Sequence, residues 1–226
     1  MNEHPNIVQI YDSFLVPDSM ELYLVFEAME GDLYQLLKTR NGRHFAVGFL
    51  SSIFHQIVTG LNHIHSAGIV HRNMRPDSIL VTTTGHFLYS SFPLTSSHSS
   101  KILDIIATVK ITNVNKKNDN VEPFITLARQ YHAPELLLQS RNYSYPVDMW
   151  ALGTIMVELI NLKPLFKSTS ETDGLIQICA ILGDPTDDYS PDARGLPIGG
   201  GRWKMRVNMA MARKFTFPLV RPPSLE

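Results

Sequence analysis

The side chains able to do chemistry crowd into one stretch near the middle of the chain, Val70-His71-Arg72-Asn73-Met74-Arg75-Pro76-Asp77-Ser78-Ile79-Leu80-Val81. Asn73 carries an amide oxygen that orients a donor but cannot ionise, so it accepts no proton. Arg75 is a permanent cation with a planar fork suited to oxyanions. Ser78, and Asn113 further along, present neutral oxygens, far poorer ligands for a hard dication than a carboxylate. The lone cysteine, Cys179, lies in the apolar helical pattern Leu175, Ile176, Ile178, Ile181, Leu182 and reads as a small buried hydrophobe. One cysteine permits neither an internal disulfide nor a cysteine-based zinc site. His55, His63 and His65 share no ligand spacing and read as satisfied or solvent-facing histidines.

Several elements must position that stretch. Ile7–Tyr11 and Glu21–Glu27 are β-rich runs, the second read as mostly buried, with loop-like residues 15–19 between them. Asp32 suits the N-cap of a helix over Leu33–Lys38. Phe49, Ile53, Ile57, Leu61 and Ile64 recur at helical spacing, which predicts a long helix from about Phe45 to Ser66 that stops at Ala67-Gly68. Tyr145–Leu159, with Pro146 in its first turn, is apolar almost all round and reads as a buried helix. Ser170-x-x-Asp173 resembles a capping box before a helix around Leu175–Leu182. The Ser-rich run from Ser90 to Ser100 reads as a surface insertion, and Gly183–Glu226 as loop with little regular structure. The chain has 226 residues, 44% hydrophobic and 18% charged, a globular composition, and its net charge of −1 supplies no field toward nucleic acid or anionic membrane. The N-terminus is not a signal peptide, and no apolar run reaches membrane-spanning length. An intracellular protein, cytoplasmic or nuclear, with no membrane or nucleic-acid partner is expected.

The central stretch resembles the catalytic loop of eukaryotic protein kinases, whose pattern is H-R-D-x-K-P-x-N-I-L. His71, Arg72, Pro76, Ile79 and Leu80 match it, and Asn73, Arg75 and Ser78 depart from it. Arg129-Gln130-Tyr131-His132-Ala133-Pro134-Glu135-Leu136-Leu137-Leu138 resembles R-W-Y-R-A-P-E-L-L-L, with Gln130 and His132 as departures. Asp148-Met149-Trp150-Ala151-Leu152-Gly153 matches D-x-W-x-x-G. Val109–Asn115 aligns with the magnesium loop K-I-x-D-F-G through Lys110 and Ile111. Together these resemble the branch containing the cyclin-dependent and mitogen-activated kinases. The closest flavour is the male-germ-cell-associated and meiosis-inducing type, on Asp148–Met156, Asn161–Phe166 and Ile181–Pro185.

The resemblance implies an α+β fold: a partial kinase domain, mainly the helical C-lobe, with the last strands of the N-lobe and the hinge. Residues 1–29 would be the N-lobe remnant and hinge, and 30–226 a partial C-lobe with the Ser-rich insertion at about 82–108. It implies ATP and magnesium as cofactors. Phe26 would be the gatekeeper, the backbone of Glu27 and Met29 would meet adenine, Asp32 the ribose, and Leu80 would floor the pocket. Asn73 takes the place of the base, Arg75 that of the phosphate-contacting lysine, and Ser78 and Asn113 those of the magnesium ligands. Asp148 would bond the backbone of the His71-Arg72 turn. Pro123, Phe124 and Ile125 stand where related kinases carry a phosphorylated T-x-Y. Upstream of His4 there is no room for the glycine-rich loop, the ATP-anchoring lysine and its partner glutamate. The helix whose arginine pairs with the glutamate matching Glu135 would lie beyond Glu226, so Glu135 is expected to stand unpaired.

Three readings follow. The chain is a kinase-like protein without phosphoryl transfer, acting through a protein partner. It is a fragment of a serine/threonine kinase that binds ATP and transfers its γ-phosphate to protein hydroxyls. Or it is a decayed product with no stable fold.

Overall fold

The computed structural model describes residues 3–17, 21–83, 98–102, 109–110, 129–140, 142–186, 199–220 and 222. Met1–Asn113 with Ile155–Lys163 form one compact unit, and Val114–Thr154 with Pro164–Glu226 form a second.

In the first unit, β1 (Ile10–Val16) and β2 (Glu21–Phe26) make an antiparallel ribbon with Phe14 opposite Tyr23 and Leu15 opposite Leu22. β1 begins later than the sequence suggests and takes in Leu15 and Val16. The turn at His4-Pro5-Asn6, closed by the Ile7 N–H on the His4 carbonyl at 3.1 Å, lies just before Ile7, which falls outside β1. Nor is β2 mostly buried. Tyr23 and Val25 are exposed: among the described residues β1 and β2 form a two-stranded sheet, and Phe14 and Tyr23 stack on each other at 5.3 Å.

Asp32 closes the two-residue strand β3 (Gly31–Asp32) and caps α1 (Leu33–Thr39), accepting the Gln35 N–H at 2.8 Å. α2 (Val47–Ser66) buries Ile53, Ile57, Leu61 and Ile64 on one face, as their spacing predicts. It begins two residues after the expected start, with Phe45 buried just outside it and stacked on Phe49 at 5.1 Å. Gly68, at φ +75°, turns the chain out of the helix, a conformation that a side chain resists. β4 (Ile69–Val70) then leads into the central stretch. β5 (Ile79–Thr83) follows it and lies between β3 and β6 (His98–Ile102), all antiparallel, and β4 pairs with β7 (Val109–Lys110).

β6 corrects the reading of residues 98–100 as part of a surface insertion: His98, Ser99 and Ser100 form ladder pairs with Thr83, Thr82 and Val81. Ladder bonds are made by the backbone, which composition does not report. The rest of the Ser-rich stretch, Asn113, and the T-x-Y place at residues 123–125 lie outside the described residues.

In the second unit a 3-10 turn at Arg129–Tyr131 precedes α3 (Pro134–Leu137), which packs against α5 (Glu171–Leu182). Ser170 caps α5 by accepting the Asp173 N–H at 3.1 Å, the N-cap that the sequence signals, whereas Asp173 returns its bond to the Thr169 N–H at 2.8 Å, one residue before the place a capping box uses. Leu137, Leu138, Phe166, Leu175, Ile178, Cys179, Ala210 and Phe217 form the core. Burial there pushes the Cys179 thiol up to about 11, with Asp184 adding to the effect, so it is inert, as expected.

Three expectations fail here. Residues 183–226 are not without regular structure: α6 (Lys204–Ala212) is built from good helix formers, and its Ala210 is fully buried. The glycines and prolines on either side of it masked that local signal. Glu135 is buried and does not stand unpaired. And α4 (Pro146–Asn161), which contributes its later turns to the first unit, is not covered all round. Met149, Gly153, Met156 and Ile160 form one exposed stripe opposite buried Val147, Asp148, Ala151, Ile155 and Leu159.

Candidate active site

Two elements of the first unit frame the central stretch: α1 and β3 pack against its 3-10 turn, Pro76–Ser78. Val70, Met74, Pro76 and Ile79 point inward and are buried, which fixes the loop from below. His71 is buried as well, and its Nδ1 receives the Asn73 N–H at 3.3 Å. Arg72 has φ +71°, a left-handed backbone that costs on the order of 1 kcal/mol or more for a residue with a side chain. That strain, invisible in the sequence, turns the chain sharply between His71 and Asn73.

Ser78 is the residue whose surroundings matter most. It is 5% exposed. Its hydroxyl donates to the Arg75 carbonyl at 2.8 Å and accepts the Arg75 N–H at 3.0 Å, while its own N–H bonds the same carbonyl at 3.0 Å. The side chain is thus a clasp closing one turn of backbone. Arg75 in turn lays its Nε on Asp77 Oδ1 at 2.7 Å. The cation at the phosphate-contacting place is already neutralised by its neighbour, although an ion pair this exposed is worth only about 0–1 kcal/mol. Asp77 is the residue that sequence reasoning passed over; its spacing of two from Arg75 across a proline was the available signal.

The structure brings some of the expected nucleotide-facing residues together. Asp32 and Leu80 are directly paired across β3 and β5. Phe26 ends β2 and is half-buried, as is Met29. Glu27 is tied to the N-terminal segment twice: its N–H donates to the Gln9 carbonyl at 3.0 Å, and its Oε1 accepts the Gln9 N–H at 2.8 Å. The Glu27 N–H is thereby spent within the chain. Asp32 is occupied as a helix cap. Asn73 is half-buried beside His71.

Magnesium does not fit the described residues. A hard dication needs anionic or freely directed oxygens. The Ser78 oxygen is neutral and closed onto backbone, Asn73 is an amide, and the one carboxylate of the loop, Asp77, is paired with Arg75. No described group of three or more His, Cys, Asp or Glu residues is arranged to hold a metal ion. No described helix is long and apolar enough to cross a membrane.

Ser78→Ala is expected to lower stability by about 1–2 kcal/mol, since the partly buried Arg75 N–H loses its acceptor. Urea denaturation measures it, and a midpoint unchanged from the parent would contradict the clasp.

The pattern of the protein kinase domain family matches residues 1–195. The sporulation protein kinase mde3 of Schizosaccharomyces pombe is 36% identical over 222 residues, covering 98% of this chain and 36% of that protein. The meiosis induction protein kinase IME2/SME1 of Saccharomyces cerevisiae is 31% identical over 100% of this chain and 35% of its own length. The serine/threonine-protein kinase MAK of Homo sapiens is 32% identical over 99% of this chain and 30% of its own length. The chain thus spans about a third of the length of these relatives. A crystal structure of the yeast RNA Pol II CTD kinase CTDK-1 complex aligns with a TM-score of 0.67 and 26% identity, covering 83% of this chain and 56% of that one.

Proposed function

We propose that this chain, which belongs to the protein kinase domain family and within it to the CMGC type, keeps the family's scaffold, has given up phosphoryl transfer, and acts by binding a protein partner. The family uses ATP and magnesium. Phosphoryl transfer is mostly positioning and charge neutralisation. This reading rests on one observation: the Ser78 hydroxyl, at the family's metal-ligand position, is spent on the Arg75 backbone in both directions. Asn73 cannot take the substrate proton, a loss of about 10²–10⁴ in rate by itself. Asn113, the other metal-ligand position of the alignment, replaces a carboxylate with an amide. The chemistry and the clasp point the same way.

The second reading, a piece of a serine/threonine kinase that binds ATP and phosphorylates protein hydroxyls, draws support from relatives named as kinases at above 30% identity. Melting the purified chain with and without ATP and magnesium separates the two. The proposed reading expects a shift smaller than about 1 °C, because a ligand that does not bind the native state does not stabilise it. A shift of several degrees that requires magnesium favours the second.

A further inference from the structure

We propose that the stacked pair His4 and His63 is a proton-sensitive latch that holds the N-terminal arm, residues 3–9, against helix α2 and releases it in mild acid. The two rings lie 4.6 Å apart at an interplanar angle of 25°. His4 is on the arm and His63 on the last full turn of α2. The arm's local geometry requires a neutral His4: its Nδ1 accepts the Asn6 N–H at 3.1 Å, and an imidazolium has no acceptor nitrogen. Protonation would set a donor against a donor there. His63 Nε2 is buried and has no hydrogen-bond partner among the described residues, so a proton on it would be a charge without a counter-group. Two imidazolium rings at stacking distance would also repel. Asn6 also reaches the helix, from its Nδ2 to Gln56 Oε1 at 3.4 Å.

The acids of the arm and of the segment it meets bond Gln9. Glu3 Oε1 accepts from Gln9 Nε2 at 2.9 Å, and Glu27 Oε1 accepts from the Gln9 N–H at 2.8 Å. α2 has no acidic residue; its other titratable groups are His55 and His65. β6, which packs against α2, carries His98 and Lys101. Burial, and next the neighbouring His63, hold the His4 pKa below its usual value. The latched state is therefore fully favoured above the ordinary histidine pKa and is lost as pH falls through the lowered one. Gln9, on the same arm, makes both bonds to Glu27, so opening the latch loosens the segment that follows β2. This inference does not depend on whether a nucleotide binds.

Amide hydrogen exchange of Gln9 and Glu27, expressed as protection factors, tests it. Between about pH 7.5 and 5.5 the parent is expected to lose protection by up to about tenfold, since the lower pH lies about one unit below the ordinary histidine pKa. His63→Phe keeps a stacked ring that cannot charge, so only the His4 bond to Asn6 remains pH-sensitive and the loss over the same range should be clearly smaller than the parent's. His4→Ala should be unprotected at both pH values. The ring protons of His4 in the parent should titrate in the window where protection falls. Constant protection in the parent, or an equal loss in His63→Phe, would overturn the latch.

Discussion

Ile57→Ala is expected to destabilise the chain by about 2–5 kcal/mol, the usual range for emptying a fully buried aliphatic site. Ile57 is 0% exposed on the inner face of α2, between buried Ile53 and Leu61. Removing its outer carbons forfeits their transfer from water and leaves a cavity whose walls relax only in part. Val58, the next residue, is 43% exposed, and Val58→Ala should change stability by less than about 0.5 kcal/mol. The contrast is the informative quantity. A chain with a cooperative core distinguishes the two substitutions sharply in chemical denaturation. A decayed product without a fixed core treats them alike, so equal effects would favour that reading.

The second large effect is a loss of stability in acid. His132, standing where the family has an arginine, is pushed down to about 4, chiefly by burial and next by the Arg129 guanidinium, with Glu171 pulling weakly the other way. Arg129 Nε meets Glu171 Oε1 at 2.9 Å, and that bond, first among several causes, holds the Glu171 carboxyl below its ordinary value. Between about pH 6.5 and 4 the unfolded chain takes up a proton on His132 that the native state refuses, so stability falls as pH drops through that window. At about 1.4 kcal/mol per pKa unit the loss is roughly 3 kcal/mol. The Glu171 contribution has the same sign and is lost at lower pH still. His132→Gln should flatten the decline between pH 6.5 and 4 in urea titrations. A slope equal to the parent's would place the acid sensitivity elsewhere.

Much of this was legible in the sequence, because the signals were local. Helical periodicity located α2, whose Ile53, Ile57, Leu61 and Ile64 are all buried, and the caps at Asp32 and Ser170 fell where their side chains predicted. What the sequence hid depends on pairing across distance. β6 exists because the edge of β5 recruits its backbone, and serine content says nothing of that. The exposure of Tyr23 and Val25 goes with a sheet that has two strands among the described residues, which no property of those two residues encodes. At the site, the types at Asn73, Arg75 and Ser78 were readable, and the resemblance gave their places. The clasp of Ser78 on Arg75 and the Arg75–Asp77 pair were not, since both depend on the 3-10 turn that folds residue 78 back over residue 75.

On the proposed reading the loop keeps its shape through bonds to itself and has no group left to move a phosphate. Incubating the purified chain with radiolabelled ATP, magnesium and a generic protein substrate tests it most directly. The expected result is incorporation no higher than the enzyme-free background, unchanged by Arg75→Ala. Magnesium-dependent incorporation above that background, abolished by Arg75→Ala, would contradict it.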